Sequence, residues 1–137
     1  MSENNIADVK GMQECWCTEI RNCANDVGLS EEHEAILDAL AHWKELGYIG
    51  GTLWINNKII AYELGEPLNK DTYVIHIEKA DPQYGASYQA INQQFVEHAT
   101  AGFEFINREQ DIGEPSLRHA KEIYHPVKMG KKWKVVF

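Results

Sequence analysis

Between Phe103 and Pro126 the chain reads FEFINREQDIGEPSLRHAKEIYHP, its densest set of residues able to do chemistry. Phe103-Glu104-Phe105-Ile106 carries aromatics on alternate positions and reads as a short strand. At Asn107 the pattern breaks into a charged turn, Arg108-Glu109-Gln110-Asp111, closed by Gly113. Pro115 suits the first turn of a helix, expected to run to about Ile123. Along it Leu117, Ala120 and Tyr124 share one face, with Arg118, Lys121 and His125 as a basic stripe beside them. Polar groups where a strand's carboxyl end faces the start of a helix are a favoured ligand position in α/β proteins. The same spacing suits a structural lock, in which Arg118 pairs with Asp111 or Glu109 to hold the loop.

Those residues need a scaffold. From Ala7 to Val27 the positions Val9, Met12, Trp16, Ile20, Cys23 and Val27 recur at helical spacing. One amphipathic helix over residues 1–28, closed by Gly28, is therefore expected. Ser30, followed by Glu31 and Glu32, is the expected N-cap of a second helix. Its buried face would be Ile36, Leu37, Leu40 and Trp43, and Gly47 would end it. The period then drops to two. Thr52 to Ile55 and Lys58 to Leu64 flank Asn56-Asn57, which predicts a tight hairpin near Asn57. A third strand, Thr72 to Glu78, would put Tyr73, Ile75 and Ile77 on one face and Val74, His76 and Glu78 on the other.

Lys79 to Ser87 reads as a turn into a helix reaching about Ala99, with Ile91, Phe95 and Ala99 as its core stripe and Tyr88 near its start. Such a turn exposes N–H groups at the positive end of a helix dipole and can hold a phosphate. It also serves as a plain connection. Trp133 to Phe137 reads as a last strand with Trp133, Val135 and Phe137 on one face.

A chain of 137 residues with 44% hydrophobic and 25% charged residues has the size and composition of one globular domain, residues 1–137. Apolar runs are a few residues long and the N-terminus is polar and acidic, which excludes a membrane span and a secretory signal and reads as cytoplasmic. Thirteen basic against 21 acidic residues, a net charge of −8, weigh against general nucleic-acid binding. Lys128, Lys131, Lys132 and Lys134 could form a local basic patch, but suit a solvated edge strand better. Cys15, Cys17 and Cys23 match neither a zinc ribbon nor a redox pair, so buried reduced thiols are expected. Six scattered histidines show no ligand pattern, and no structural metal is expected.

The order helix, helix, hairpin, strand, helix, strand, helix, strand resembles the GNAT acyltransferase fold without its usual first strand: an α+β architecture with a mixed, mainly antiparallel sheet flanked by helices. More specific blocks are Gly50-Gly51, Gly65-Glu66, His76-Ile77-Glu78-Lys79-Ala80, Asn107-Arg108-Glu109, Asp111-Ile112-Gly113, Leu117-Arg118, Ala120-Lys121 and Tyr124-His125-Pro126. Together, over roughly Leu29 to Trp133, they resemble an uncharacterised bacterial family related to the C-terminal domain of phosphatidylglycerol lysyltransferase. The family-like region is then residues 29–137, preceded by the N-terminal helix.

The resemblance implies transfer of an activated acyl or aminoacyl group from acyl-coenzyme A or an aminoacyl-tRNA to an amine or hydroxyl. Relatives carry two such units in tandem and this chain resembles the second, which implies a homodimer or a separate partner supplying the missing half. In GNAT enzymes a Q/R-x-x-G-x-G/A run binds the donor pyrophosphate; here Gln83-Tyr84-Gly85-Ala86-Ser87 stands in that place, compressed and with one glycine. Acyl transfer needs a base, donors for the oxyanion and an acid for the leaving group. Glu78 is the candidate base, Asn107 with nearby N–H groups the carbonyl polariser, and Tyr124 the acid. Lys79, Arg108, Glu109, Asp111, Arg118 and Lys121 join the loop residues as candidate donor-binding groups. The competing class is a non-catalytic binding or assembly module that has lost its donor site.

Overall fold

Asn56 and Asn57 take φ of 49° and 61° between β1 (Ile49–Ile55) and β2 (Lys58–Pro67). Positive φ at both central positions is what a two-residue hairpin needs for its twist to match the flanking strands, and asparagine tolerates it. β3 (Thr72–Ala80) pairs antiparallel with β2, and β4 (Phe105–Asn107) pairs parallel with β3, giving the order β1-β2-β3-β4. The helices are α1 (Ile6–Cys15), α2 (Val27–Ala41), α3 (Ser87–Ala99) and α4 (Pro115–Glu122). The architecture is mixed α+β with a mostly antiparallel four-stranded sheet, consistent with the GNAT-like order read from the sequence.

This computed structural model describes residues 1–133 and 135–136, and the chain divides into two compact units, Met1–Asn107 and Arg108–Phe137. In the first unit the sheet is covered on both faces. Val9, Met12, Trp16, Ile36 and Leu40 of the N-terminal helical segments pack with Ile59, Tyr62, Leu64 and Ile77. On the other face Ile91 and Phe95 of α3 cover Ala61, Ala80, Tyr73 and Ile75. A buried polar chain ties the first face together: Tyr62 Oη donates to Gln13 Oε1 at 2.5 Å, and Gln13 Nε2 lies 3.0 Å from His33 Nδ1. Among the described residues no helix is long and apolar enough to cross a membrane.

The N-terminal segment differs from the single helix expected. α1 stops at Cys15, a π-helical turn spans Trp16–Arg21, and a 3-10 turn spans Cys23–Asn25. Asn22, at φ 52°, breaks the run between the two turns. These turns bring the Cys17 and Cys23 Cα atoms to 5.2 Å, within disulfide reach, and the two are bonded. The expectation of reduced thiols holds only for Cys15. α2 starts at Val27, three residues before Ser30, because Asp26 accepts the Leu29 amide at 3.1 Å and caps it. Val27, expected in the stripe, is 76% exposed. At the C-terminus Trp133, Val135 and Val136 are exposed and form no strand; Lys134 and Phe137, also assigned to that strand, lie outside the described residues.

Candidate functional site

β3 does not alternate simply. The β2–β3 register slips between Leu64 and Gly65, pairing Leu64 with Ile77 but Gly65 with Ile75, so His76 is the extra residue of a bulge. The bulge reverses side-chain parity. Tyr73 and Ile75 face α3, while Ile77 packs toward α1 and α2, opposite to the expected grouping. Glu78 then returns to the α3 face, directly opposite Glu63 of β2. Gly51 of β1 completes the row, and a Cβ there would lie 2.7 Å from the Phe95 ring. Glu63 is fully buried and accepts a hydrogen bond from Asn92 Nδ2 of α3 at 3.1 Å.

Opposed residues of an antiparallel pair hold their Cβ atoms about 5 Å apart, so Glu63 and Glu78 form a carboxylate pair under α3. Tyr73 adds a phenol to this face. Its ring passes over Gly65, next to Glu63 on the same side of β2, and it is fully buried. Its hydroxyl has no hydrogen-bond partner among the described residues. Burial first, then the charges of Glu63 and Glu66, push the phenol well above its ordinary range, so it stays protonated.

Beside β3, β4 is short. Asn107 stands opposite Val74, and among the described residues no strand pairs with β3 beyond that point on this side. The two parallel neighbours therefore end at different levels. Glu78 lies four residues further on, roughly 13 Å at strand rise. Ile106 packs toward α3, and alternation turns Asn107 to the opposite face from Glu78.

Lys79 also faces away from Glu78: its Nζ donates to Glu32 at 2.9 Å and lies 4.2 Å from the Trp16 ring centroid. In the turn after β3, Asp81 Oδ1 accepts the Gln83 amide, and the buried Ser87 hydroxyl donates to the Asp81 carbonyl, both at 3.0 Å. Ala86 takes φ 62° just before α3 and offers no side-chain cap; with Gln83 and Gly85 it forms the turn into the helix, in which the Ser87 amide donates to the Tyr84 carbonyl at 3.1 Å.

In the second unit the polar side chains engage one another. Arg118 Nε donates to Asp111, and the Gly113 amide donates to the same carboxylate at 3.0 Å. Lys121 Nζ donates to the Arg108 carbonyl, and the Arg108 guanidinium lies 4.1 Å from the Tyr124 ring centroid. Lys132 approaches Glu109 at 3.8 Å. Glu114 caps α4 through the Ser116 amide.

The Arg118 hydrogen bond, helped by the Gly113 amide, holds the Asp111 carboxyl at about 2, below its ordinary 3.8. A depressed carboxylate stabilises the fold above its unfolded value, and that contribution disappears as pH falls through the folded one. The loop should be insensitive to pH above about 4 and loosen toward about 2. An NMR titration of the Gly113 amide should show a midpoint near 2. In Arg118→Gln the midpoint should climb back toward 3.8; an unmoved midpoint would remove the ion pair from the explanation.

Residues 1–136 match the model of a protein family described as "Phosphatidylglycerol lysyltransferase, C-terminal". The chain belongs to that family. A crystal structure of a conserved protein of unknown function from Bacteroides thetaiotaomicron VPI-5482 superposes on this member of the lysyltransferase C-terminal family with a TM-score of 0.88 at 35% identity. The match covers 94% of this chain and 43% of the other, so the chain spans less than half the length of that relative. Among curated proteins none matches.

Set against this lysyltransferase C-terminal fold, the residues singled out from sequence fall into three groups. Glu78 lies on the α3 face beside a carboxylate. Lys79 and Asn107 are turned to the other face, and Gln83 to Ser87 form the entry to α3. Arg108, Glu109, Asp111, Arg118, Lys121 and Tyr124 belong to the second unit. Glu63, Tyr73 and Asn92 were missed. Glu63 did carry a signal, an acidic residue inside the apolar run Ile59 to Leu64, where only a paired or functional charge is tolerated.

Proposed function

We propose that this domain takes part in moving an activated acyl or aminoacyl group onto an amine or hydroxyl acceptor. The observation that carries the reading is that β3 runs on past the end of β4, with Glu78 on the stretch that β4 does not pair. Backbone N–H groups on that open edge can polarise a carbonyl laid along it. Glu78 takes the proton from the attacking nitrogen or oxygen as its new bond to the acyl carbon forms. The bond from that carbon to the donor's oxygen or sulfur then breaks, and the leaving atom takes up a proton. Family membership supports an aminoacyl donor, and the N-terminus of α3 suits a phosphate-bearing one, whether acyl-coenzyme A or aminoacyl-tRNA. Asn107, roughly 13 Å along and on the other face of the sheet from Glu78, takes no part in this step.

A chain spanning 43% of its relative fits a reading in which a second copy or a separate polypeptide supplies the rest. Sedimentation equilibrium should show association; a monomer at all concentrations would remove the dimer.

The second reading is a binding or assembly module. It is favoured by the second unit, where Asp111 pairs with Arg118 and Lys121 with the Arg108 carbonyl, polar groups that brace their own loop.

Donor binding separates the two. A donor at a hundredfold excess over its dissociation constant stabilises the native state by about 2.7 kcal/mol, a rise of roughly 10 °C for a domain this size. Acyl-coenzyme A compounds and aminoacyl donors should divide into those that raise the melting temperature and those that do not. Silence from every donor would favour the module.

A further inference from the structure

Cys17 and Cys23 stand in a stretch whose apolar positions, Val9, Met12, Trp16, Ile20, Cys23 and Val27, ask for one continuous α-helix. Six residues of α-helix would set their Cα atoms roughly 9 Å apart along the axis, beyond the ~7 Å reach of a disulfide. In the structure they lie 5.2 Å apart and are bonded. The helix and the bond therefore exclude each other. In place of the helix stand the π-helical turn Trp16–Arg21, Asn22 at φ 52° and the 3-10 turn Cys23–Asn25. A π-helical turn is rare and often marks a functional site, and a left-handed residue breaks a helical run outright.

The π-helical turn begins with Trp16, a buried residue whose Nε1 donates to the Ala80 carbonyl at 3.2 Å. Ala80 ends β3, and its neighbour Asp81 starts the turn into α3. The bonded segment thus reaches the end of an inner strand through one side chain. Arg21, Asn22, Ala24 and Asn25, on either side of Cys23, are all exposed. Opening that short surface turn is enough to admit a reductant to the two buried sulfurs.

We propose that Cys17 and Cys23 form a redox-sensitive conformational switch. Oxidised, they hold residues 16–25 in the broken path that seats Trp16 under the end of β3. Reduced, they release the segment to the α-helical path its apolar spacing favours. The reductant is a small dithiol. One of its thiolates attacks one sulfur of the bond and expels the other cysteine as a thiolate. Its second thiolate then closes on the mixed disulfide and frees the first cysteine. Two electrons pass to the protein, the reductant leaves as its own disulfide, and its two protons end on Cys17 and Cys23. Cys15 stays a free thiol throughout, its Sγ donating to Glu19 at 3.4 Å. No acyl donor or acceptor enters this exchange, so the switch is independent of the transfer reading.

The test follows the full chain by NMR, oxidised and then reduced with dithiothreitol at neutral pH without denaturant. Reduction should be reversible, should shift the Trp16 indole and Ala80 amide signals, and should make the Cα shifts of residues 18–25 helical. Cys15→Ser should respond like the native chain. The double variant Cys17→Ser, Cys23→Ser should show the reduced pattern even under oxidising conditions. If that variant does not fold, the native chain kept in dithiothreitol carries the same comparison. A bond that yields to dithiothreitol only in urea would be a structural clasp and would overturn the proposal. So would a reduced chain that unfolds, or one whose Trp16, Ala80 and Cα signals match those of the oxidised chain.

Discussion

Gly65→Ala should cost the first unit about 3 kcal/mol or more, a large part of the stability of a small domain. Gly65 sits at the register slip between β2 and β3. A Cβ there would lie 2.2 Å from the Val74 carbonyl oxygen, 2.6 Å from Tyr73 Cε1 and 3.2 Å from Ile75 Cα. Two of those three atoms are backbone and cannot rotate away. The third belongs to a fully buried ring packed edge-on against Phe95 and Phe103, at centroid distances of 5.9 and 5.4 Å. Relief would require opening the bulge, which would return Ile77 and Glu78 to the wrong faces. Gly11→Ala is the matched control: its Cβ meets open space, and a helical glycine replaced by alanine gains up to about 1 kcal/mol. Urea unfolding of both variants decides the matter. A Gly65→Ala midpoint within experimental error of the native one would mean the bulge is not held by this contact.

That bulge also marks where the sequence stops being readable. The hairpin at Asn56-Asn57, the stripe Ile91–Phe95–Ala99 on α3 and the α4 start at Pro115 were legible, because each depends on neighbours in the chain. The faces of β3 were not. Simple alternation over Thr72 to Glu78 separates Glu78 from Tyr73, whereas one extra residue at His76 puts both under α3.

Nothing local announces such an insertion; it is set by Gly65 on the neighbouring strand and by the ring it admits. The Cys17–Cys23 bond was hidden for a related reason. Uniform helical spacing through Trp16 and Cys23 conceals the π and 3-10 turns that bring the two together. The start of α2 was read at Ser30, whereas Asp26 caps it by accepting the Leu29 amide. Within the site, Glu78 could be selected because it is polar near a strand end. Lys79, its neighbour, looked equivalent and serves the opposite face as a cation between Glu32 and Trp16. Glu63 became meaningful only through register, since its partner is fifteen residues away.

Under the transfer reading, Glu78→Gln should lower the rate of acyl transfer by about 10²–10⁴-fold with little change in melting temperature. Glutamine keeps the shape of the side chain and its capacity to accept a hydrogen bond, but cannot take a proton at neutral pH. A base acts on the proton in flight, so the loss should fall on kcat and leave KM near its native value. Glu63→Gln should behave differently. Glu63 is fully buried and held by Asn92, so its substitution disturbs packing under α3 as well as the carboxylate pair. It should lower the melting temperature as well as the rate.

Comparing the two variants separates chemistry from support. A base at Glu78 predicts a fast fall in turnover on an intact fold, and a merely structural pair predicts matched losses of stability from either side. The assay is single-turnover transfer from whichever donor stabilises the native chain, with circular dichroism following the fold. A Glu78→Gln protein transferring within threefold of the native rate would leave the open edge of β3 without its base. The domain would then be a binding module whose buried carboxylates only hold α3 in place.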